Sequence, residues 1–486
     1  MSNRSKPAKV IKRFGKDVAV YAAADLIARG TQLLALPLYT SLLSVVEFGQ
    51  LSVLTVTASL LAMLSNLGVN NAVQRFYFKA EADNTKSAVI VTTGLIQLVI
   101  VGAILTCLSL AAIYGLSLHQ TQMSGIDLRY YALALLFILP DQVTQYTQDI
   151  VRLHFKPFRF FCIAIVRTLL GVIVGLVLLV KFKMGLAGVL IGTLVGAALA
   201  VPIGLWTIRS DLVMRVERAV SRDLIAYGAH FVVVGASYWI FQSMDRWMLV
   251  HYSGMAQVGL FTVANKFAVI VSFATFAFNR AWAPYAFRMH ATEPSYRQQI
   301  ARIFSLWFFA LSFLAFGISL FGAEILQLTT PREYWQATPV LSIMCAAMAL
   351  EGTTPITLLG ISFEKRTFLM NYGTWIAAIA SVALNVMLLP RFGATGAAIS
   401  ALVAYCVMTG YFLWMSQRLH PLPLEWSKLG YGLFIVALTV VAPQCLTLAE
   451  PGIWSLPVKL GLLGLVLAGA MATKVIDFGA LRRLAS

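Results

Sequence analysis

Long apolar segments separated by short polar connections dominate the hydropathy pattern of this chain. About fourteen stretches of roughly 18 to 28 residues are almost entirely apolar, the length that a helix needs to cross a bilayer. The predicted spans are residues 18–43, 48–70, 87–114, 130–152, 160–180, 185–207, 224–250, 255–279, 301–321, 337–361, 368–389, 393–416, 429–448 and 456–475. The pattern therefore predicts an all-α polytopic membrane protein with about fourteen transmembrane helices.

Segments of the chain also match other segments 208 to 210 residues further on. The matching pairs are Glu47–Leu51 with Gln257–Phe261, Phe155–Arg159 with Phe363–Thr367, and Gly185–Ile191 with Gly393–Ile399. Because the offset is nearly constant, six successive apolar segments match six others. Two similar halves that move around a site between them are a common transporter architecture, so the repeat predicts two six-helix bundles.

The repeat and the charged connections predict four regions. Residues 1–208 form an N-terminal six-helix lobe, and residues 224–418 form a C-terminal one. Residues 209–223 are charged and have a helical period, which predicts a linker helix on the cytoplasmic membrane surface. Residues 419–486 have no counterpart in the repeat and supply two additional transmembrane helices and a cytoplasmic tail.

Composition agrees with a membrane protein and gives no sign of enzyme chemistry. The chain is 59% hydrophobic and 12% charged, with a mean hydropathy of +0.80, which is outside the range of soluble domains. All five cysteines fall within predicted spans and show no paired spacing, so neither a disulfide nor a metal site is expected. There is no phosphate-binding P-loop motif, and no cofactor or catalytic residue is expected.

The basic residues predict the orientation. The chain carries a net charge of +17, and 27 of its lysines and arginines lie at the N-terminus, the C-terminus and the even-numbered junctions between spans. Only 6 lie at the odd-numbered junctions. By the positive-inside rule both termini are cytoplasmic. The charge excess is thus a topology signal, with contact to anionic lipids, and does not indicate nucleic-acid binding.

Four segments resemble, in their order and spacing, membrane proteins of bacterial polysaccharide biosynthesis. They are LLALPLYTSLLSVVEFGQLSVLT (33–55), LGVNNAVQRFYFKAE (67–81), DRWMLVHYSGMAQVGLFTVANK (245–266) and LPRFGATGAAISALVAY (389–405). The chain resembles the polysaccharide transporter family, including the O-antigen (Wzx-type) flippases, within the superfamily of multidrug, oligosaccharidyl-lipid and polysaccharide exporters. The resemblance covers residues 18–418. It implies two facing six-helix bundles, and movement of an undecaprenyl-pyrophosphate-linked glycan from the cytoplasmic to the periplasmic leaflet of the inner membrane.

Charged residues inside predicted spans are candidate site residues, because burying a charge in a membrane is costly. Asp25 and Arg29 share one face of the first span, where either they pair or Arg29 faces a central cavity. Asp245 and Arg246 are adjacent, point about 100° apart and are not expected to pair along one face. Arg246 therefore either reaches the interface or faces substrate, as the resemblance implies. Lys266 lies too deep to reach the interface easily and is expected to line the cavity.

The fourth span carries a polar stripe. The residues that recur on one helical face are Asp141, Gln145, Gln148 and Arg152. Such a face cannot rest against lipid tails, so either it lines a cavity or the span ends near residue 145 and the stripe is solvated.

Asp141 has a repeat counterpart 210 residues further on, Glu351, in the tenth span. Pro355 follows and is expected to free a backbone carbonyl. These two acids either carry H⁺ or Na⁺ for coupling, or pair with Arg29 and Arg167. Arg167 lies close enough to the cytoplasmic face to reach the interface.

We therefore expect a flippase of lipid-linked oligosaccharide, with the substrate, membrane lipids, a coupling ion, and polysaccharide polymerase and assembly proteins as partners. A multidrug exporter and a lipid II flippase of the same superfamily are the alternatives. A drug exporter is expected to hold more acids than bases in its cavity. A glycan polymerase or ligase is expected to carry a large external loop with catalytic residues, whereas the external loops here are short.

Overall fold

The computed structural model describes residues 27, 30–80, 84–120, 122–448 and 455–475, and they are almost entirely helical. In the first half the helices are α1 (30–42), α2 (Val45–Asn66), α3 (Val69–Ala80), α4 (Asn84–Ser117), α5 (Leu128–Leu136), α6 (Ile138–Leu153), α7 (Pro157–Ile165), α8 (Gly171–Val180), α9 (Gly185–Thr207) and α10 (Arg218–Ser253). In the second half they are α11 (Met255–Thr292), α12 (Tyr296–Leu320), α13 (Gly322–Thr329), α14 (Thr338–Glu351), α15 (Thr354–Thr357), α16 (Leu359–Phe363), α17 (Phe368–Leu419), α18 (Trp426–Leu448) and α19 (Ser455–Ala472). A short antiparallel hairpin joins β1 (Gln122–Met123) to β2 (Ile126–Asp127).

Ten helical segments in these described ranges are long and apolar enough to cross a membrane, which confirms the all-α polytopic class. Four features account for the difference from fourteen predicted spans. Predicted span 18–43 begins outside the described residues, and span 130–152 is divided at Phe137 between α5 and α6. Spans 368–389 and 393–416 share α17, and the last span is a shorter helix, α19.

The repeated glycine motifs mark a kink stabilised by a side chain from another helix. Gly393 interrupts α17 with φ 52° and ψ −131°, a conformation open almost only to glycine. Gln257, at the start of α11, accepts a hydrogen bond from the backbone N–H of Ala394 at 3.0 Å. The repeat counterpart Gly185 also has φ 52°, and Glu47 Oε1 lies 3.3 Å from where its Cβ would be. The two motifs therefore share a glycine with positive φ next to a polar side chain, although Gly185 begins α9 and Gly393 lies inside α17.

The described residues form two compact units that divide between Trp239 and Ile240, within α10. The predicted linker helix over 209–223 is wrong. Only a 3₁₀ turn, Arg209–Asp211, and the first residues of α10 are helical there. The segment between them is tied to α4, because the N–H groups of Val213 and Glu217 donate to the hydroxyls of Thr92 and Thr93. These tertiary bonds override the local helical period; the other lobe boundaries stay predictions.

The second unit is built around its most buried span, residues 332–363, in which 83% of the residues in the most apolar stretch are buried. The two additional helices attach through an apolar cluster that includes Phe316 of α12, Ile435 of α18 and Val466 of α19. A partly buried ion pair between Lys459 of α19 and Glu324 of α13 adds a polar contact. The C-terminal helices therefore pack on the second unit through both apolar and ionic contacts.

Each unit contains a histidine–carboxylate pair that joins the end of its fourth predicted span to the end of its sixth. In the first unit, His154 Nε2 lies 3.1 Å from Asp211 and 3.0 Å from the hydroxyl of Tyr77. In the second, His420 Nδ1 lies 3.6 Å from Glu364, and its Nε2 lies 2.9 Å from the hydroxyl of Tyr296. Burial, together with nearby Arg297 and His290, lowers the pKa of His420, although Glu364 opposes the shift. The acid and the histidine have exchanged places between the halves.

The kink at Gly393 gives a direct test of this packing. Gly393→Ala places a Cβ 2.7 Å from Gln257 Oε1 and forces alanine into a disfavoured conformation. We expect a loss of about 1–3 kcal/mol of unfolding free energy, measured as a lower thermal unfolding midpoint in detergent. Gly410→Ala, in the same helix, meets no neighbour within 4 Å and is the matched control. Equal midpoints for the two variants would contradict the assignment.

Candidate functional site

The polar centre of the first unit is an ion pair between Asp141 and Arg167. Asp141 lies in the first turn of α6 and is 5% exposed, and its Oδ1 contacts Arg167 Nη2. Arg167 lies in a π-helical turn, Val166–Leu170, between α7 and α8. Gln145 Nε2 donates to the other oxygen of Asp141 at 2.6 Å. Of the alternatives predicted for Asp141, the structure contains the pairing with Arg167, whose side chain is 28% exposed.

The rest of the stripe on α6 passes from buried to solvated. The helix continues to Leu153, and Gln148 is only 7% exposed, so the stripe is not solvated at that residue. Arg152 has a side chain that is 54% exposed, contacts Asp149 at 3.5 Å and lies over the Phe160 ring. Only the last position of the stripe is therefore solvated.

A second polar face on α6 lies outside the predicted stripe. Gln142 accepts a hydrogen bond from Asn66 at 3.0 Å, and Asp149 accepts one from Asn70 at 2.8 Å. Asn66 and Asn70 are four residues apart around the α2–α3 junction and are themselves hydrogen-bonded. Their i, i+4 spacing was the available signal. Polar groups thus surround α6 on two sides, and each one named here has a protein partner.

Asp245 and Arg246 form an ion pair on α10, which contradicts the expectation that adjacent residues could not pair. Asp245 Oδ1 accepts from Arg246 Nη1 at 2.9 Å and from the Arg246 backbone N–H at 2.8 Å. Arg246 also donates to the carbonyl of Gln242, one turn earlier, and lies over the Phe261 ring. The long arginine side chain folds back along the helix, so the angle between Cβ atoms does not decide the contact. Arg246 Nε is buried without a hydrogen-bond partner.

Glu351 ends α14 at a break in the helix. Ser272 of α11 donates to Glu351 Oε2 at 3.5 Å. The break exposes backbone carbonyls, as Pro355 predicted, and two indoles bind them. Trp307 donates to the Gly352 carbonyl at 2.8 Å, and Trp282 donates to the Pro355 carbonyl at 3.2 Å.

The two indoles were not anticipated from the sequence, because nothing local links them to the break. Phe278 stacks between them, with ring centroids 4.0 Å from Trp307 and 5.1 Å from Trp282. This aromatic stack, made by α11 and α12, holds the broken helix next to Glu351.

The structure places the predicted site residues in two groups. The first unit holds Asp141, Gln145 and Gln148 close together on α6, whereas the second holds Asp245, Arg246, Lys266 and Glu351. Lys266 is exposed on α11. Asp25 and Arg29 lie outside the described residues. The assignment of these residues to substrate or ion binding stays a prediction.

The family of polysaccharide biosynthesis proteins has a model that matches residues 14–290, more than half of the chain. The chain belongs to this family. The predicted family membership is thereby confirmed, and three of the four resembling segments lie within the matched residues.

Relatives of similar sequence are membrane proteins of archaea. One is an uncharacterized membrane protein of Methanocaldococcus jannaschii, 23% identical over 42% of this chain and 41% of that protein. Another is the probable low-salt glycan biosynthesis flippase Agl15 of Haloferax volcanii, 23% identical over 43% of this chain and 45% of that protein. The matched regions therefore span less than half the length of these relatives.

Solved transporters share the fold. The inward closed conformation of lipid II flippase MurJ matches with a TM-score of 0.67 and 13% identity, over 95% of this chain and 99% of that one. An inward-facing multidrug transporter of the MATE family matches with a TM-score of 0.57 and 15% identity, over 81% and 97%. The protein is thus a multi-pass membrane protein with the fold of these transporters.

The ion pair of the first unit is expected to be a strongly coupled element. Arg167→Gln leaves the buried carboxylate of Asp141 without its partner, which costs about 3–5 kcal/mol, whereas Asp141→Asn leaves a partly exposed arginine and should cost less. The double variant should recover much of that loss, as measured by unfolding in detergent. Arg152→Gln, at the exposed end of the stripe, should cost less than about 1 kcal/mol. Simple additivity of the two buried substitutions would show that the residues do not interact.

Proposed function

We propose that this protein is a flippase that moves an undecaprenyl-pyrophosphate-linked oligosaccharide from the cytoplasmic to the periplasmic leaflet of the bacterial inner membrane. Its product would feed surface polysaccharide synthesis through a polymerase and assembly proteins. The observation that carries the proposal is the family match over residues 14–290 in a chain with a transporter fold. The relative named as a probable glycan biosynthesis flippase supports it.

The substrate chemistry is consistent with the charged residues of the second unit. A pyrophosphate is anionic and must cross a region of low dielectric constant, where fixed cations stabilise it most. Arg246 retains a buried N–H donor that no protein group uses, and Lys266 is exposed on the neighbouring helix. In the proposed mechanism these residues and Arg29 bind the pyrophosphate while the polyprenyl tail remains in lipid.

Alternating access requires a group whose interactions differ between two states. The Asp141–Arg167 pair fits this requirement, because neutralising the carboxylate removes a buried ionic contact. We propose that Asp141, with Gln145 and Gln148 beside it, and its repeat counterpart Glu351 couple transport to H⁺ or Na⁺. In this proposal the hydrogen bond from Arg246 to Asp245 orients the guanidinium group for substrate binding.

The length of the fold match favours a saccharide lipid over a drug as substrate. The lipid II flippase matches 95% of this chain, whereas the MATE transporter matches 81%. A lipid II-type substrate is therefore the second candidate, because it shares the pyrophosphate, the polyprenyl tail and the sugar headgroup. Both candidates require the same cations, and the glycan distinguishes them.

Alanine variants of the proposed cations test the function. We expect Arg29→Ala, Arg246→Ala and Lys266→Ala each to reduce export of surface polysaccharide in a deletion strain about tenfold or more, since each loses a charged hydrogen bond to phosphate. Arg246→Lys should recover part of the export, because it keeps the charge but not the planar fork.

The matched control is Arg391→Ala, which removes an exposed arginine of α17. Membrane levels of every variant are measured by immunoblot. Full complementation by all three alanine variants would rule out a cationic substrate site.

A further inference from the structure

An open groove at the start of α10 is lined by two arginines. Its lining residues are Arg218, Ser221, Arg222, Ile225 and Ala226, and its volume is about 390 Å³. The arginines are both exposed, and none of the five lining residues is acidic. Ile225 and Ala226 give the groove an apolar end next to its basic end. The groove therefore presents a cationic and an apolar surface side by side.

A buried amide beside this groove has an unused donor. Ser221 Oγ donates to Gln97 Oε1 of α4 at 3.2 Å. Gln97 is 6% exposed, and its Nε2 is buried with no hydrogen-bond partner. Buried amide groups are nearly always hydrogen-bonded, because an unmade bond is costly. The amide therefore requires an acceptor, and it is bonded to one of the groove's own lining residues.

The groove is held in place by the same contacts that replace the predicted linker helix. Thr92 and Thr93 of α4 accept hydrogen bonds from Val213 and Glu217, so the chain entering α10 follows α4. Two acidic residues flank the groove in sequence: Glu217, which contacts Arg215 at 2.9 Å, and the exposed Asp223. One side of the groove is thus fixed before any ligand binds.

Helix length places the groove near a membrane surface. α10 has 36 residues, which correspond to about 54 Å. This exceeds the roughly 30 Å of hydrocarbon that it needs to cross, so its first turn, which carries Arg218, extends into the headgroup layer. The charge asymmetry predicts that the end carrying Arg218 is cytoplasmic.

We propose that this groove binds the headgroup of an anionic phospholipid in the cytoplasmic leaflet. Arg218 and Arg222 offer donors to the phosphate, and Gln97, whose carbonyl oxygen is bound by Ser221, supplies the amide N–H that lacks a partner. Ile225 and Ala226 contact the first part of an acyl chain. Guanidinium groups match phosphate oxygens well, and a net negative lipid suits two arginines better than a zwitterionic one. The site is independent of the transported glycan.

Lipid binding by the purified full-length protein tests the proposal. Phosphatidylglycerol should raise the thermal unfolding midpoint and appear as a bound adduct in native mass spectrometry, whereas phosphatidylcholine should do neither. The double variant R218Q/R222Q should bind phosphatidylglycerol about tenfold or more weakly, because it loses charged hydrogen bonds. The control R215Q removes an equivalent charge outside the groove and should bind as wild type.

A second variant tests the amide directly. Gln97→Glu keeps the size and the acceptor for Ser221 but replaces the unused donor with a carboxylate oxygen. Phosphatidylglycerol binding should fall about tenfold or more by charge repulsion. The midpoint without lipid should fall as well, because a buried carboxylate is costly, so binding is compared at a temperature where the variant is folded. R218K/R222K should retain part of the binding, because lysine keeps the charge. This variant replaces R218Q/R222Q as the test if R218Q/R222Q does not fold.

Three results would overturn the proposal. Unchanged phosphatidylglycerol binding by R218Q/R222Q would exclude the groove, and unchanged binding by Gln97→Glu would exclude the amide. A midpoint shift produced by a polyprenyl pyrophosphate but not by phosphatidylglycerol would assign the site to the transported lipid. Because export is not the readout, failure here leaves the proposed flippase activity untouched.

Discussion

The absence of water from the bilayer core is the constraint on which this structure depends. A polar group in a spanning helix has no solvent partner there, so it must be satisfied within the protein. Asp141 forms an ion pair with Arg167, and Asp245 forms one with Arg246. The same rule governs the backbone at the break after α14, where the indoles of Trp307 and Trp282 satisfy freed carbonyls.

These partners also suit the coupling role that we propose for them. A buried ion pair contributes little to stability compared with an apolar pair of the same shape. Removing one of its two residues, however, lowers the free energy of unfolding strongly. Such a pair can therefore act as a switch. Protonating the carboxylate, or binding an anion to the arginine, changes the energy of the paired arrangement relative to the unpaired one. The helix break next to Glu351 also depends on a few side-chain contacts, because side chains and not a continuous helix hold its backbone.

The sequence analysis predicted the features that depend on local periodicity. The apolar spans, the repeat and the stripe on α6 all follow from residues close in sequence. At the second glycine motif the structure adds a feature that the sequence alone did not reveal, namely the kink at Gly393 bound by Gln257.

The features that it missed depend on long-range or side-chain geometry. Trp307 lies 45 residues from the carbonyl that it binds, and Val213 lies 121 residues from Thr92, whose bond removed the predicted linker helix. The pairing of Asp245 with Arg246 was not predicted from the helical angle between them. That angle describes the directions of the Cβ atoms, whereas the long arginine side chain can fold back toward its neighbour.

Reconstituted transport tests the central claim most directly. Purified protein in proteoliposomes, loaded with lipid-linked oligosaccharide in both leaflets, is treated from outside with an impermeant enzyme that oxidises sugar hydroxyls. The account predicts that nearly all of the glycan becomes accessible with the wild-type protein, and that about half stays protected with Asp141→Asn over the same interval. Half of the glycan staying protected with folded wild-type protein, with and without an H⁺ or Na⁺ gradient, would contradict the account.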